Sequence, residues 1–162
     1  MKRRTLLVGA GALGTAAVGG TLAAELFLPE RSTAAAEGSI PPDADALKEG
    51  SFVGKDGHRV SGTVTLYRDG DGHFLRFEDY EQTQGPDVFV YVTPAPDPDT
   101  SEEIAEGRKV LIDGGADGGE STKVGTFVQR LPEGTDPEGY EGVSIWCDRF
   151  AVPFGAATLE PV

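Results

Sequence analysis

The sequence has few of the residues on which common cofactor and metal sites depend. Among its 162 residues there is one cysteine, Cys147, so no disulfide can form within the chain. The only methionine is Met1, and no histidine follows Cys147, which argues against a blue-copper site. No C-x-x-C-H, H-E-x-x-H or G-x-S-x-G motif occurs. These absences argue against c-type cytochromes, zinc proteases of the H-E-x-x-H type and serine hydrolases of the G-x-S-x-G type.

Basic residues are also scarce, because 14 Lys and Arg face 27 Asp and Glu. Residues 1–36 hold four of the basic and two of the acidic residues, so the rest carries ten against 25, a net charge of −15. A surface with this charge repels nucleic acid and anionic lipid. The acids occur in nearly every predicted loop. This distribution favours a halophilic protein, which uses salt to screen its own repulsion, over a generic soluble surface.

Residues 1–36 are predicted to be an export signal rather than part of the fold. Lys2, Arg3 and Arg4 precede an uncharged run over residues 5–24, and small residues follow at 34–36. The paired arginines followed by two leucines resemble a twin-arginine signal, whose pathway exports folded proteins. A membrane anchor formed by residues 5–24 is the alternative. Both predict an extracellular or cell-surface protein that contacts the membrane only through its N-terminal segment.

The remainder is predicted to be a flexible linker over residues 37–50 and one all-β domain over residues 51–162. The domain shows short apolar alternations separated by glycine, proline and acidic turns, and no amphipathic helix of normal length. A single helical turn is expected near residues 102–105. This pattern predicts an antiparallel β-sandwich or barrel of seven to nine short strands.

Two acidic, glycine-rich loops resemble fragments of calcium-binding motifs. In "DGDGH" (69–73), His73 and Tyr80 stand where an EF-hand requires oxygen ligands. "GGADGGES" (114–121) occurs once, whereas glycine-rich calcium repeats need stacked copies. Both loops are therefore predicted to be tight turns with solvated acids, and no metal site is predicted. His58 and His73 are interpreted as polar residues at strand ends.

Cys147 lies in "VSIWCDRF" (143–150), which also holds the only tryptophan. Alternation places Cys147 on one face with Val143, Ile145 and Arg149, and Trp146 on the other. A lone cysteine in such a strand is usually a small buried hydrophobe. The competing interpretation is a reactive thiol whose thiolate is favoured by Arg149. Spacing alone favours burial.

Several motifs spaced along the chain bear on the choice between a buried structural cysteine and a reactive thiol. Gly85-Pro86-Asp87 precedes an apolar strand, and Ile145-Trp146-Cys147 is followed by Phe150, Phe154 and Gly155. Over residues 51–160 the chain resembles the DM13 (DM-thirteen) domain family. The resemblance implies a small, mostly β extracellular domain with a proposed redox role for its cysteine.

By this resemblance Cys147 is the candidate redox residue, either as a bare thiol or as a haem ligand. Arg149 would tune the thiol, and Trp146 would shield it or lie on a path to a partner. His58 and His73 are the only histidines that could serve as a second haem ligand. The partner would be a separate redox protein or a membrane cytochrome.

The resulting hypothesis is an extracytoplasmic electron-transfer domain that acts through Cys147. The alternative is a non-enzymatic surface or adhesion module in which Cys147 belongs only to the core. A ligand pocket between the sheets, lined by Phe and Tyr, is a third interpretation. An electron-transfer or binding domain is favoured over an enzyme with its own substrate.

Overall fold

The computed structural model describes residues 33–34 and 38–162. Almost all of the predicted signal or anchor segment therefore lies outside the described residues. The described chain consists of two β-sheets around one hydrophobic core, with one short α-helix and one 3-10 turn. The strands are β1 (Thr33–Ala34), β2 (Asp45–Ser51), β3 (Val53–Gly54), β4 (Val60–Asp69), β5 (Gly72–Gln82), β6 (Val88–Thr93), β7 (Arg108–Val110), β8 (Lys123–Arg130), β9 (Gly142–Cys147), β10 (Val152–Thr158) and β11 (Glu160–Pro161).

The first sheet, sheet I, has the strand order β1-β8-β5-β4-β2-β11, and the second, sheet II, has the order β3-β10-β9-β6-β7. All neighbours are antiparallel except β1 and β8. The prediction of an antiparallel all-β sandwich is confirmed. Three strands, β1, β3 and β11, have only two residues, and seven of the other eight, β4 to β10, match the predicted set of short strands. The four outermost strands, β1, β11, β3 and β7, are the shortest in the two sheets.

The inward faces of the two sheets form the core. Sheet I contributes Val64 and Leu66 from β4 and Phe77 from β5, which are all at most 1% exposed. Phe77 stacks on Phe127 of β8 with ring centroids 4.6 Å apart and an interplanar angle of 12°. The alternation read from the sequence therefore assigns the correct faces, because the predicted inward residues belong to the core. Thr65 and Phe74, which lie next to them in sequence, are buried but outside this core.

Strand β4 faces a β-bulge of β5 at Gly62, where two residue steps of β4, from Ser61 to Thr63, pair with three of β5, from Glu81 to Glu78. Its pairing with β5 shifts between Ser61 and Thr63. Gly62 has a φ of +104°, and a Cβ atom there would lie 2.6 Å from the carbonyl oxygen of Glu78. Only glycine meets both conditions. Because the extra residue lies in β5, Tyr80 beyond the bulge belongs to the core as Phe77 does before it, whereas Val60 and Val64 of β4 keep their period-two spacing.

The structure differs from the predicted linker over residues 37–50. Residues 45–50 belong to β2, which pairs with β4 on one side and β11 on the other. Gly50 is the only buried residue of this strand, so it has no apolar period by which the sequence could reveal it. Backbone hydrogen bonds to β4 hold it in place.

The predicted helical turn is present as α1 (Ser101–Ala105). The Thr100 hydroxyl accepts from the backbone N–H of Glu103, and the Glu103 carboxylate accepts from the backbone N–H of Thr100. This reciprocal cap satisfies two backbone donors at the start of the helix.

Replacing Phe77 tests the importance of the aromatic core. We expect Phe77→Ala to lower the free energy of unfolding by about 3 to 5 kcal/mol, because it leaves a cavity between Phe127 and the facing sheet. Phe150, which is 65% exposed, provides the matched control. Phe150→Ala should change the free energy by no more than about 0.5 kcal/mol. Denaturant unfolding at constant high salt measures both, and equal effects would contradict the assigned core.

The hairpin between β4 and β5 is tied to β8 by a two-pronged ion pair. Both guanidinium Nη atoms of Arg130 donate to the Asp69 carboxylate, at 2.7 and 2.5 Å. The hydrogen bonds from Arg130 lower the pKa of Asp69 from its usual 3.8. A carboxylate whose pKa is lowered by folding contributes stability that is complete above its unfolded pKa. This contribution is lost as the pH falls through the folded pKa.

We therefore expect Asp69→Asn to lower the unfolding midpoint at neutral pH. The difference from wild type should shrink as the pH falls below 3.8, where Asp69 itself becomes protonated. Chemical denaturation across an acid pH series measures it. A difference that stayed constant across the whole series would contradict the role assigned to the charge.

Candidate functional site

Strand β9 places Cys147 at one end of sheet II. It lies between β10 and β6, and all six of its residues are buried. Val143, Ile145 and Cys147 belong to the core, so the predicted face is confirmed for these three residues. Cys147 pairs with Val88 of β6 and Val152 of β10. The following turn, residues 148–151, is exposed, so the thiol lies just inside the boundary of the core.

The Cys147 side chain is 0% exposed and forms a hydrogen bond with the segment before β6. Its thiol donates a hydrogen bond to the carbonyl oxygen of Pro86, with a sulfur–oxygen distance of 3.2 Å. Pro86 belongs to the segment Gly85-Pro86-Asp87 that leads into β6. The two most specific motifs of the sequence, "GPD" and "IWC", are therefore in contact at this point.

Asp87 fastens this segment to the turn after Cys147. Its carbonyl oxygen accepts from the backbone N–H of Asp148 at 2.9 Å. Its carboxylate accepts from Nε of Arg149 at 2.6 Å, and both of these side chains are partly exposed. Asp87 adopts a left-handed backbone with φ of +54°, which directs the chain into β6. We call these two contacts of Asp87 the latch.

Burial raises the pKa of the Cys147 thiol above its ordinary value. Hydrogen bonds from the backbone N–H groups of Phe150 and Arg149 partly oppose this, while the carboxylates of Asp87 and Asp148 raise the pKa further. The thiol is consequently protonated at neutral pH. A buried, protonated thiol is a poor nucleophile until the surrounding structure opens.

Arg149 was predicted from the sequence to favour the thiolate. In the structure its guanidinium is paired with Asp87, and it lowers the pKa of the thiol only through its backbone N–H, which acts together with the backbone N–H of Phe150. The side chain thus holds the latch closed. Strand alternation ends at Cys147 because residues 148–151 form the turn, so Arg149 does not continue the inward face.

Trp146 lies on the opposite face of β9 from the sulfur. It pairs with Phe89 and Pro153 on the two neighbouring strands and is 4% exposed. Lys109 lies over the Phe89 ring, 3.9 Å from its centroid, and forms an ion pair with Asp148. Trp146 therefore packs against the outer side of the sheet instead of covering the thiol. Its role on a path to a partner stays a prediction.

The surroundings of Cys147 do not fit a haem. A haem ligand needs a sulfur that faces a cavity of porphyrin size, and ligand pockets typically measure about 300 to 1,000 Å³. Here the sulfur is enclosed by the core, and its proton is directed to the Pro86 carbonyl. Ligation would require the end of the sandwich to separate.

The two histidines lie in different places. His73 is the second residue of β5 and Gln82 is its last, and nine strand steps of about 3.3 Å put them roughly 30 Å apart. Ser121 bridges Gln82 to the Val88 carbonyl beside Cys147, so His73 lies far from the thiol. His58 stacks on Phe154, with centroids 3.7 Å apart. Within residues 38–162, no group of three or more His, Cys, Asp or Glu side chains could hold a metal ion.

Sequence reasoning missed Glu120. It was predicted to be a solvated acid of the glycine-rich loop, but it is 2% exposed. Its Oε1 atom accepts from the backbone N–H of Asp87 at 3.1 Å. The signal that could have revealed it is the density of glycines, which lets the loop fold back on itself.

Over the described ranges, 33–34 and 38–162, no helix is long and apolar enough to cross a membrane. The predicted anchor, residues 5–24, falls outside those ranges.

Comparison with known families gives one match. Residues 51–159 match the family model described as "Electron transfer DM13". The match begins at the predicted start of the β domain and includes Pro86, Asp87, Glu120 and Cys147. No curated protein and no solved structure matches the chain.

Breaking the latch should make Cys147 more accessible. Exposed ion pairs contribute about 0.2 to 1 kcal/mol, so Arg149→Ala should speed alkylation of the native protein by iodoacetamide about 1.4-fold to fivefold. Arg68→Ala, which removes an exposed pair with Asp45 elsewhere, should leave the rate unchanged. A slower reaction of Arg149→Ala would instead support stabilisation of the thiolate by the guanidinium. A reaction seen only after global unfolding would exclude the latch as the gate.

Proposed function

Since the chain belongs to the DM13 family of electron-transfer domains, we propose that it transfers electrons outside the cytoplasm through the thiol of Cys147. The single observation that supports this role is the position of the sulfur. Cys147 is buried at the last residue of β9, and the exposed turn over residues 148–151 follows it directly. Such a thiol is protected at rest and becomes reachable by a local opening.

The bare thiol is the form favoured by the surroundings of the sulfur. One cysteine cannot form a disulfide within the chain, so its redox partner must supply the second sulfur. We propose that the partner is a separate exported protein that carries a disulfide. When the latch opens, Cys147 loses its proton to solvent and its thiolate attacks one sulfur of that disulfide.

The exchange balances in electrons and atoms. A new S–S bond forms between Cys147 and the attacked sulfur, and the partner's S–S bond breaks. The leaving sulfur takes the electron pair of the broken bond and then a proton. Cys147 and the attacked sulfur end as a mixed disulfide, and the leaving sulfur ends as a thiol. A second thiol from the solution or a partner can reverse the exchange and restore Cys147.

The location and the salt adaptation are supported by the sequence alone. The twin-arginine-like start favours export of a folded domain. The ten basic and 25 acidic residues after position 36 favour a protein that works in high salt. Folded export would deliver Cys147 already enclosed by the core, which limits accidental oxidation.

Mixed-disulfide formation tests the proposal. The purified protein in high salt is incubated with oxidised glutathione, and its mass is followed under native conditions. We expect the mass of one glutathione to be added slowly and to be removed by a reductant. The mass of Cys147→Ala should not change. Failure of the native protein to react, while the unfolded protein does, would refute electron transfer by thiol exchange. A Soret band in the visible spectrum of the purified protein would refute the bare-thiol form.

A purely structural cysteine in a surface or adhesion module is the second candidate. The complete burial of Cys147 and the raised pKa of its thiol favour it. Under this alternative Cys147→Ala would cost about 1 to 2 kcal/mol of stability, and the native thiol would not exchange. The glutathione experiment therefore separates the two candidates.

A further inference from the structure

We propose that Glu120 is a positioning residue for the redox thiol, acting on Cys147 through the peptide group that joins Pro86 to Asp87. This inference rests on the proposed role of Cys147 and identifies a residue that adjusts it. The observation is that one peptide group connects the thiol to a buried carboxylate.

The connection consists of two hydrogen bonds on opposite sides of one planar amide. The Cys147 thiol donates to the carbonyl oxygen of Pro86 at 3.2 Å. The N–H of the same peptide group, which belongs to Asp87, donates to Oε1 of Glu120 at 3.1 Å. Because the peptide is conjugated, an acceptor at its N–H increases the negative charge on its oxygen. Glu120 therefore strengthens the acceptor that holds the thiol proton.

The glycine-rich loop exists in a conformation that places Glu120 inside the protein. Gly118 and Gly119 have φ values of +83° and +96°, which other residues rarely adopt. A Cβ atom on Gly115 would lie only 2.1 Å from the Glu120 carbonyl oxygen. The backbone N–H of Glu120 donates to the Ala116 carbonyl at 2.9 Å. A tight loop that buries an acid at 2% exposure keeps a costly group beside the site.

Neighbouring polar residues hold the start of β6 in place without adding charge. The Ser121 backbone N–H donates to the Val88 carbonyl at 2.8 Å, and the Ser121 hydroxyl lies 2.9 Å from Oε1 of Gln82. The Tyr80 hydroxyl also donates to Gln82, and burial raises the pKa of Tyr80, so this group stays neutral. Ser121 thus helps Glu120 to hold the start of β6 in place, but it carries no carboxylate.

The charged groups that face the thiol are few. The carboxylates of Asp87 and Asp148 raise the pKa of Cys147, and the guanidinium of Arg149 is paired with Asp87. Glu120 differs from these groups because it reaches the thiol through a hydrogen-bonded peptide and is buried. Removing its charge should release the thiol proton at a lower pH.

The substitution Glu120→Gln tests the charge while keeping an oxygen that can accept from the Asp87 N–H. The readout is the S–H stretching band in the Raman spectrum, which arises from Cys147 alone because the chain has no other thiol. In the folded full-length protein, we expect the band of Glu120→Gln to move to higher frequency, as the S–H bond donates less strongly. The pH at which the band disappears should fall by about one unit, the usual size of such shifts.

Ser121→Ala is the matched control, because it removes a neighbouring contact but no charge. Its band and titration midpoint should equal those of wild type, and Cys147→Ala should lack the band. If Glu120→Gln does not fold, as judged by circular dichroism, Glu120→Asp replaces it. The shorter side chain of Asp should weaken the contact and give a smaller shift in the same direction.

A wild-type band and midpoint in the folded Glu120 variant would overturn the inference. This outcome is independent of the glutathione experiment, since the Raman band reports the resting thiol without any oxidant. A shifted band with no mixed disulfide would refute the proposed function while the role of Glu120 stands. A mixed disulfide with an unchanged band would support the proposed function and refute the role of Glu120.

Discussion

The hydrogen bond from the Cys147 thiol to the Pro86 carbonyl joins the two parts of the chain that define the site. On one side it fixes the end of β9, the central strand of sheet II, and on the other it fixes the segment that enters β6. The contacts of Asp87 with Asp148 and Arg149 depend on this alignment, as does the approach of Glu120. The thiol is therefore both a core side chain and the centre of a polar arrangement.

Its burial in the core and its polar contacts have opposite effects on the protonation of the thiol. Burial and nearby carboxylates keep the sulfur protonated, while the backbone N–H groups of the following turn stabilise the thiolate. A fully exposed thiolate would react with any oxidant that reached it, and a deeply buried thiol would react with none. A position at the last residue of a buried strand, next to an exposed turn, lies between these limits.

Much of the fold could be predicted from the sequence because period-two alternation marks strands with one buried face, such as β4 and β5. Strand β2 escaped prediction because its only buried residue is Gly50 and its order comes from backbone pairing. The burial of Cys147 followed from the apolar residues at alternate positions. The burial of the Glu120 carboxylate could not be predicted, because it depends on the folding of a loop far from Cys147 in sequence. The composition of that loop suggested a solvated acid. The pairing of Arg149 with Asp87 likewise depends on tertiary contact between segments 62 residues apart.

The short outermost strands of the two sheets affect how this protein can pair with other extended chains. Each outermost strand has at most three residues for pairing, in β7, and two in β1, β3 and β11. Very short edge strands are one of the features by which β-sheet proteins limit pairing with an extended segment or with further copies of themselves. At high ionic strength salt screens the repulsion between acidic surfaces. Short edge strands would limit aggregation in a way that does not depend on charge.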